Sequence, residues 1–274
     1  MSFSDRFADF VGQVPLRELT LPFGPTEVWD LGEGPPLVLL HGVAAGRRVF
    51  FRTAPLLAKR FRVIVPHLRG ETEPARDLSY EAMHDDIAAL ISLLGLADVT
   101  LLGVSFGGNV ALSYGARRDP RVRAIAVQGT FARYPMRAGL RAMLKLAAIA
   151  PAPLASWWFR RRVLHGPESR YLREHTPGLD VLNADWCGKT PFRTLRARAK
   201  LIVQSDRAED ISRINVPVAL GHGKPDRIVP MGCFTRLKQL CPDAQTVLWD
   251  DVPHLAPLTH PESLVELARM VEPN

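Results

Sequence analysis

Apolar residues in this chain fall into two kinds of run. Short, unbroken aliphatic stretches, such as "PPLVLLHG" (35–42), "RVIVPHL" (62–68) and "DVTLLGVS" (98–105), are separated by stretches whose apolar residues recur at helical spacing, as in "SYEAMHDDIAALISLL" (79–94). Unbroken apolarity suits strands covered on both faces, and the 3–4 spacing suits helices with one buried face. Two shorter strand-like runs, "LRELTLP" and "TEVWDLG", come first. "RVFFRTAPLLAKRF" (48–61) reads as a helix, "NVALSYGARR" as a helix and "VRAIAVQGT" as a strand. Further on, Val216 to Gly221 reads as a strand, "MGCFTRLKQL" as a helix, Ala244 to Trp249 as a last strand and "PESLVELARMV" as a closing helix.

Strands and helices alternating at this interval predict an α/β protein whose eight-stranded, mainly parallel sheet is built from right-handed crossovers and flanked by helices. The alternation stops at Phe131 and resumes near Asp206. The expected organisation is therefore a core formed by 1–130 and 205–274, with an inserted helical cap, or lid, at 131–204. Such an insertion covers the C-terminal ends of the strands, where open α/β sheets bind their ligands.

Charge changes this picture in one place. The 274 residues carry 35 Lys plus Arg against 28 Asp plus Glu, and from Phe131 to Gln204 the ratio is 14 to 4, so the rest of the chain is slightly acidic. Arg137, Arg141 and Lys145 share one helical face, while Leu140, Met143, Leu144 and Ala147 lie largely opposite. "SWWFRRR" then sets Trp157, Trp158 and Phe159 beside Arg160, Arg161 and Arg162. The first expectation is that the apolar face covers a pocket and the arginines are solvated. The alternative is that this basic cap attracts anionic substrates or makes weak contact with an anionic membrane surface. One basic cap with no recognition motif does not predict nucleic-acid binding. Three cysteines without metal-type spacing predict neither a disulfide framework nor a zinc site. No apolar run approaches the roughly 20 residues of a transmembrane helix, and the charged N-terminal stretch lacks a secretory pattern, so the expected location is the cytoplasm.

The candidate chemistry begins at "VTLLGVSFGGNVAL" (99–112), where Ser105 lies between a strand and a helix with Gly103 before it and Gly107 after it. A serine on such a tight turn takes strained backbone angles, and glycines on either side remove the clashes. The turn would hold the hydroxyl above the sheet edge, with the Phe106 amide at the helix N-terminus facing the same space. A serine nucleophile needs a base, and the base needs an orienting acid. Asp226 and His254 each follow a late strand, on the edge that carries Ser105, and the order Ser, Asp, His is that of triads in such sheets.

The rivals have weaker contexts. His222 is expected in a loop beyond the strand, and His260, before Pro261, as a helix cap. Asp250 and Asp251 turn to opposite sides. His84 and His165 read as surface or satisfied core residues, and His41 as support for a neighbouring loop.

With these residues in place, the chain resembles the α/β-hydrolase superfamily. His41-Gly42, Gly103-Val-Ser-Phe-Gly-Gly108, "GKPDRIVP" and "VPHLAP…HPE" carry the resemblance, which extends over everything but the insertion. It implies Ser105 as nucleophile, His254 as general base, Asp226 as its orienting acid, and the backbone amides of Val43 and Phe106 as oxyanion donors, with no metal or organic cofactor. After the fourth strand "PHLRGETEP" departs from the family pattern, with His67 where many members have Asp.

The expected function is hydrolysis of a small to medium, mainly apolar carboxylic ester through an acyl-enzyme. A thioesterase, a lactonase or a carbon–carbon bond hydrolase would use the same residues. A low-turnover ligand receptor of this fold, or a non-enzymatic binding module, is the reading from another class. A serine at the elbow argues against dehalogenase or epoxide hydrolase activity. Oligomeric state is left open by the sequence.

Overall fold

Eight strands among the described residues form one sheet: β1 (Leu16–Leu21), β2 (Gly24–Leu31), β3 (Pro36–Leu40), β4 (Arg62–Pro66), β5 (Val99–Val104), β6 (Val122–Gln128), β7 (Val218–Gly223) and β8 (Gln245–Trp249). Their order is β1-β2-β4-β3-β5-β6-β7-β8. β2 runs antiparallel to both β1 and β4, and all other pairs are parallel. The computed structural model describes residues 2–71, 77–136 and 165–272, with residues 154, 157, 159, 161 and 163 between the last two stretches.

The unbroken apolar runs are explained by burial on both faces. In β3, Leu37 and Leu39 enter a core with Phe50, Phe51, Leu264 and Leu267, whereas Val38 and Leu40 enter a second core with Ile87, Leu90 and Val110. Alternate side chains of a strand point to opposite faces, so each run supplies both cores at once.

The described helices are α1 (Phe3–Gln13), α2 (Ala54–Leu57), α3 (Tyr80–Leu93), α4 (Phe106–Gly115), α5 (Pro167–His175), α6 (Leu179–Lys189), α7 (Phe192–Gln204), α8 (Ala208–Ser212), α9 (Met231–Leu240), α10 (Ala256–Thr259) and α11 (Pro261–Arg269). α5 to α8 interrupt the sheet between β6 and β7. Among the described residues no helix is long and apolar enough to cross a membrane. The basic amphipathic helix expected around Arg137–Ala147 lies outside the described residues.

Two local readings are corrected, and one element is added. The N-terminal stretch, read above only for its charges, forms α1, with a reciprocal cap between Ser2 and Asp5. Phe7 of α1 packs at 4.7 Å from Trp186 of α6, and Phe10 at 4.9 Å from Trp29. The stretch 48–61 is not one helix: it divides into a 3₁₀ turn (Gly46–Phe50) and the short α2, with Pro55 at the start of α2 as its fixed φ favours. β7 runs to Gly223, so His222 lies inside the strand and not in a loop. Its ring stacks on Phe234 at 5.6 Å, and it pairs across the ladder with Leu248.

The close approach of β3 to α4 sets the geometry of the sheet edge. A Cβ at Gly107 would lie 2.2 Å from Leu40 O and 2.5 Å from His41 O, and one at Gly103 would lie 2.5 Å from Gly107 O. These are backbone atoms, which cannot swing aside. Gly107→Ala is therefore expected to lower unfolding free energy by about 3 kcal/mol or more, read as a drop in denaturation midpoint. A variant as stable as wild type would show that strand and helix can separate.

Candidate active site

Ser105 links β5 to α4 with φ 53° and ψ −121°. That region costs a non-glycine residue of order 1–3 kcal/mol, and the neighbouring strand holds it there. The Ser105 N–H donates to Gln128 O at 2.9 Å, and its carbonyl accepts from Thr130 Oγ1 at 2.6 Å and from Asn109 N–H at 3.1 Å.

Asp226 and His254 come from the turns beyond β7 and β8. His254 Nδ1 lies 2.8 Å from Asp226 Oδ2, and His254 Nε2 lies 3.1 Å from Ser105 Oγ. With Asp226 ionised, Nδ1 carries the proton and donates, leaving Nε2 free to accept the serine hydroxyl. Asp226 Oδ1 accepts the N–H groups of Ile228 and Val229, both at 2.8 Å. Burial pushes the Asp226 carboxyl up, but His254 and these two donors outweigh it and hold its pKa below the ordinary value. Burial pushes His254 down, yet the Asp226 charge and hydrogen bond prevail and raise it above 6.5.

Beside Ser105 runs the loop that follows β3. A Cβ at Gly42 would lie 3.6 Å from Ser105 Cβ, which places the next residue, Val43, along the same wall. His41 is fully buried: its Nε2 accepts the Leu68 N–H at 3.1 Å, so Nδ1 donates to Gly42 O at 2.9 Å. Burial, aided by Arg198, pushes its pKa down to about 4 despite Glu71, and the ring is neutral. Phe106 opens α4, where the first N–H groups have no intrahelical acceptor and the helix presents its positive end.

Ser105, His254, Gly42 and Val43 face a cavity of about 280 Å³. Its wall is mostly apolar, with Val49, Val104, Phe159, Val163 and Leu258 among its members, and Glu168, Ser169 and Asn183 interrupt it. Apolar clefts with a few polar groups are the usual form of a small-molecule site. Cys187 also reaches the wall, and burial pushes its thiol up to about 12, so it is protonated. Among the described residues no group of three or more His, Cys, Asp or Glu could hold a metal ion.

The rival residues lie elsewhere. His84 is buried 2.8 Å from Ser113 Oγ, and His165 is exposed. His260 precedes α11, but its side chain caps nothing, and instead its carbonyl accepts Ser263 Oγ at 2.6 Å. The expected cap is corrected: the His260 ring accepts no N–H of α11. Asp250 is exposed and paired with Lys224, and Asp251 stands 3.9 Å from His260.

Glu168, near the start of α5, is a site residue that the sequence reading missed. Its Oε2 is buried without a hydrogen-bond partner. Burial raises its pKa, against the charge of His254. It sits 86 positions before His254 with no motif around it, so no local signal marks it.

Comparison with known proteins agrees with this fold. Residues 35–174 match the family model described as the alpha/beta hydrolase fold. A pimeloyl-[acyl-carrier protein] methyl ester esterase from Aromatoleum aromaticum is 30% identical over 85% of this chain and 96% of its own. A 2-hydroxy-6-oxo-2,4-heptadienoate hydrolase from Pseudomonas putida is 29% identical over 80% of this chain and 82% of its own. The solved structure of a thermophilic esterase from Thermogutta terrifontis superposes with a TM-score of 0.79, covering 94% of this chain and all of that one; at 24% identity this likeness speaks for the fold alone. The chain belongs to the α/β-hydrolase family, and it is a hydrolase among relatives named as esterases and hydrolases.

Proposed function

We propose that the protein is a serine esterase acting on a small to medium, mainly apolar carboxylic ester. The observation that carries this reading is the hydrogen-bonded line from Ser105 through His254 to Asp226, opening on an apolar cavity of about 280 Å³. Ser105 Oγ attacks the ester carbonyl as its proton passes to His254 Nε2, and Asp226 holds Nδ1–H and stabilises the imidazolium. The Val43 and Phe106 N–H groups receive the negative oxygen. His254 then gives its proton to the departing alcohol, which leaves Ser105 acylated. Water repeats the sequence, with His254 as its base, and frees the acid. In this reading segment 131–204 is the cap, and Phe159, Val163, Glu168, Ser169, Asn183 and Cys187 are among the residues it gives to the pocket wall.

The relative from Aromatoleum aromaticum, named as a methyl ester esterase, fits a small departing alcohol. The relative from Pseudomonas putida is a hydrolase named for a dienoate substrate, which keeps carbon–carbon bond cleavage by the same residues as the second reading.

A fluorophosphonate probe is expected to label wild-type protein at Ser105, located by peptide mass spectrometry. Ser105→Ala is expected to lose labelling and several powers of ten in turnover; retention of more than about a tenth of wild-type ester hydrolysis would sink the mechanism.

The pH profile gives an independent check. A general base works only when unprotonated, and the His254 pKa is raised, so kcat/KM should climb with pH through an apparent pKa above 6.5. An acid limb centred below that value would contradict the assignment of the base.

A further inference from the structure

Arg198 lies on the inner face of α7 and is completely buried. Its Nη1 donates to Glu71 Oε2 at 3.0 Å and to Val43 O at 2.9 Å, and its Nη2 reaches Arg69 O at 3.1 Å and Leu68 O at 3.3 Å. Around it, Thr190 Oγ1 donates to Glu71 Oε1 at 2.8 Å and Thr194 Oγ1 to Gly70 O at 2.7 Å. Burying a guanidinium is unfavourable unless its charge and donors are met. Here one carboxylate and three carbonyls engage both Nη atoms, while Nε is buried without a partner, and three of those four acceptors are backbone or side chain of the loop after β4.

The fourth acceptor is Val43 itself. In a trans peptide the N–H points opposite to the preceding carbonyl, so the direction of the Val43 N–H is set by the Gly42 carbonyl. His41 Nδ1 holds that carbonyl at 2.9 Å. Arg198 holds the carbonyl of the next peptide plane. The two planes that meet at Val43 Cα are thus each gripped by a buried donor, one just after β3 and one from the inserted helices. Without the second grip the plane after Val43 is free to turn, and only the local His41 bond is left to keep the loop, and the N–H it carries, in place beside Ser105.

We infer that Arg198 is a positioning residue for the ester chemistry: by holding Val43 O it keeps the Val43 N–H aimed beside Ser105 Oγ, and so makes oxyanion geometry depend on the seating of α7 against the core. The inference rests on the proposed role of Val43. Lysine does not substitute, because an ammonium lacks the planar fork that serves a carboxylate and several carbonyls together.

The test uses Arg198→Lys and the double variant Arg198→Met/Glu71→Gln, which leaves no unpaired charge buried if the single change fails to fold. Thermal melting is measured alongside kcat and KM for p-nitrophenyl butyrate. Binding is measured for phenylboronic acid, which Ser105 captures as a tetrahedral adduct, and for an unreactive ether of the ester's shape. In both folded variants kcat should fall roughly 10–100-fold with KM within about twofold, boronate affinity should fall by a similar factor, and ether affinity should stay unchanged. Turnover within about twofold of wild type would overturn the inference. So would a parallel loss of turnover, boronate and ether binding that follows melting temperature, since that pattern marks a structural role only. A fully active Ser105→Ala protein would overturn the serine reading and this inference with it, whereas an inert Ser105→Ala beside fully active Arg198 variants would overturn this inference alone.

Discussion

The turn at Ser105 has to pass between β3 and β6 where backbone meets backbone, and the rest of the site is arranged around that passage. The missing Cβ atoms of Gly103 and Gly107 let α4 start directly against the end of β3. The strain at Ser105 persists because the end of β6 holds its N–H, through Gln128, and the turn just beyond β6 holds its carbonyl, through Thr130. The two strands that flank β5 therefore act on the same residue from opposite sides. One supplies the surface against which the helix packs, and the other holds the strained peptide in place. A sheet edge built this way presents a side chain and the positive end of a helix to one small space.

Electrostatics then divides the buried acids according to their surroundings. Asp226 and Glu168 are both largely buried near His254, yet they move in opposite directions. Two peptide N–H groups and the imidazole keep Asp226 charged. Glu168 has an oxygen without a partner, and burial raises its pKa. Their surroundings thus push the two carboxyls in opposite directions, Asp226 down and Glu168 up. The Arg198–Glu71 pair shows a third arrangement, a charge pair deep in the protein whose geometry serves the backbone around it. Such pairs are weak devices for stability, since desolvation opposes their attraction. Their value here lies in connecting the inserted helices to the loop after β3.

The inserted helices and the core are also joined by apolar contacts, with α1 as the link. Phe7 touches both Phe51, beyond the 3₁₀ turn, and Trp186 of α6. The signals for α1 were present in the sequence, in Ser2 and Asp5 at cap spacing and in Phe3, Phe7 and Phe10 at helical spacing. His222 shows the opposite case: a polar residue after an aliphatic run reads as the end of a strand, but ring stacking on Phe234 carries the strand past it. Pairing with β8 decided that boundary, and the pairing joins residues distant in sequence.

The sequence by itself determined the eight strands, their mainly parallel arrangement and the positions of Ser105, Asp226 and His254, because strand periodicity, glycine spacing and residues just past strand ends are local patterns. The distances of 2.8 and 3.1 Å within that line were decided by tertiary structure, since three separate strand ends had to meet at one edge. Glu168 and Arg198 were decided there too. Each acts through partners far along the chain, and burial and hydrogen bonding between distant segments leave no mark on the residues beside them.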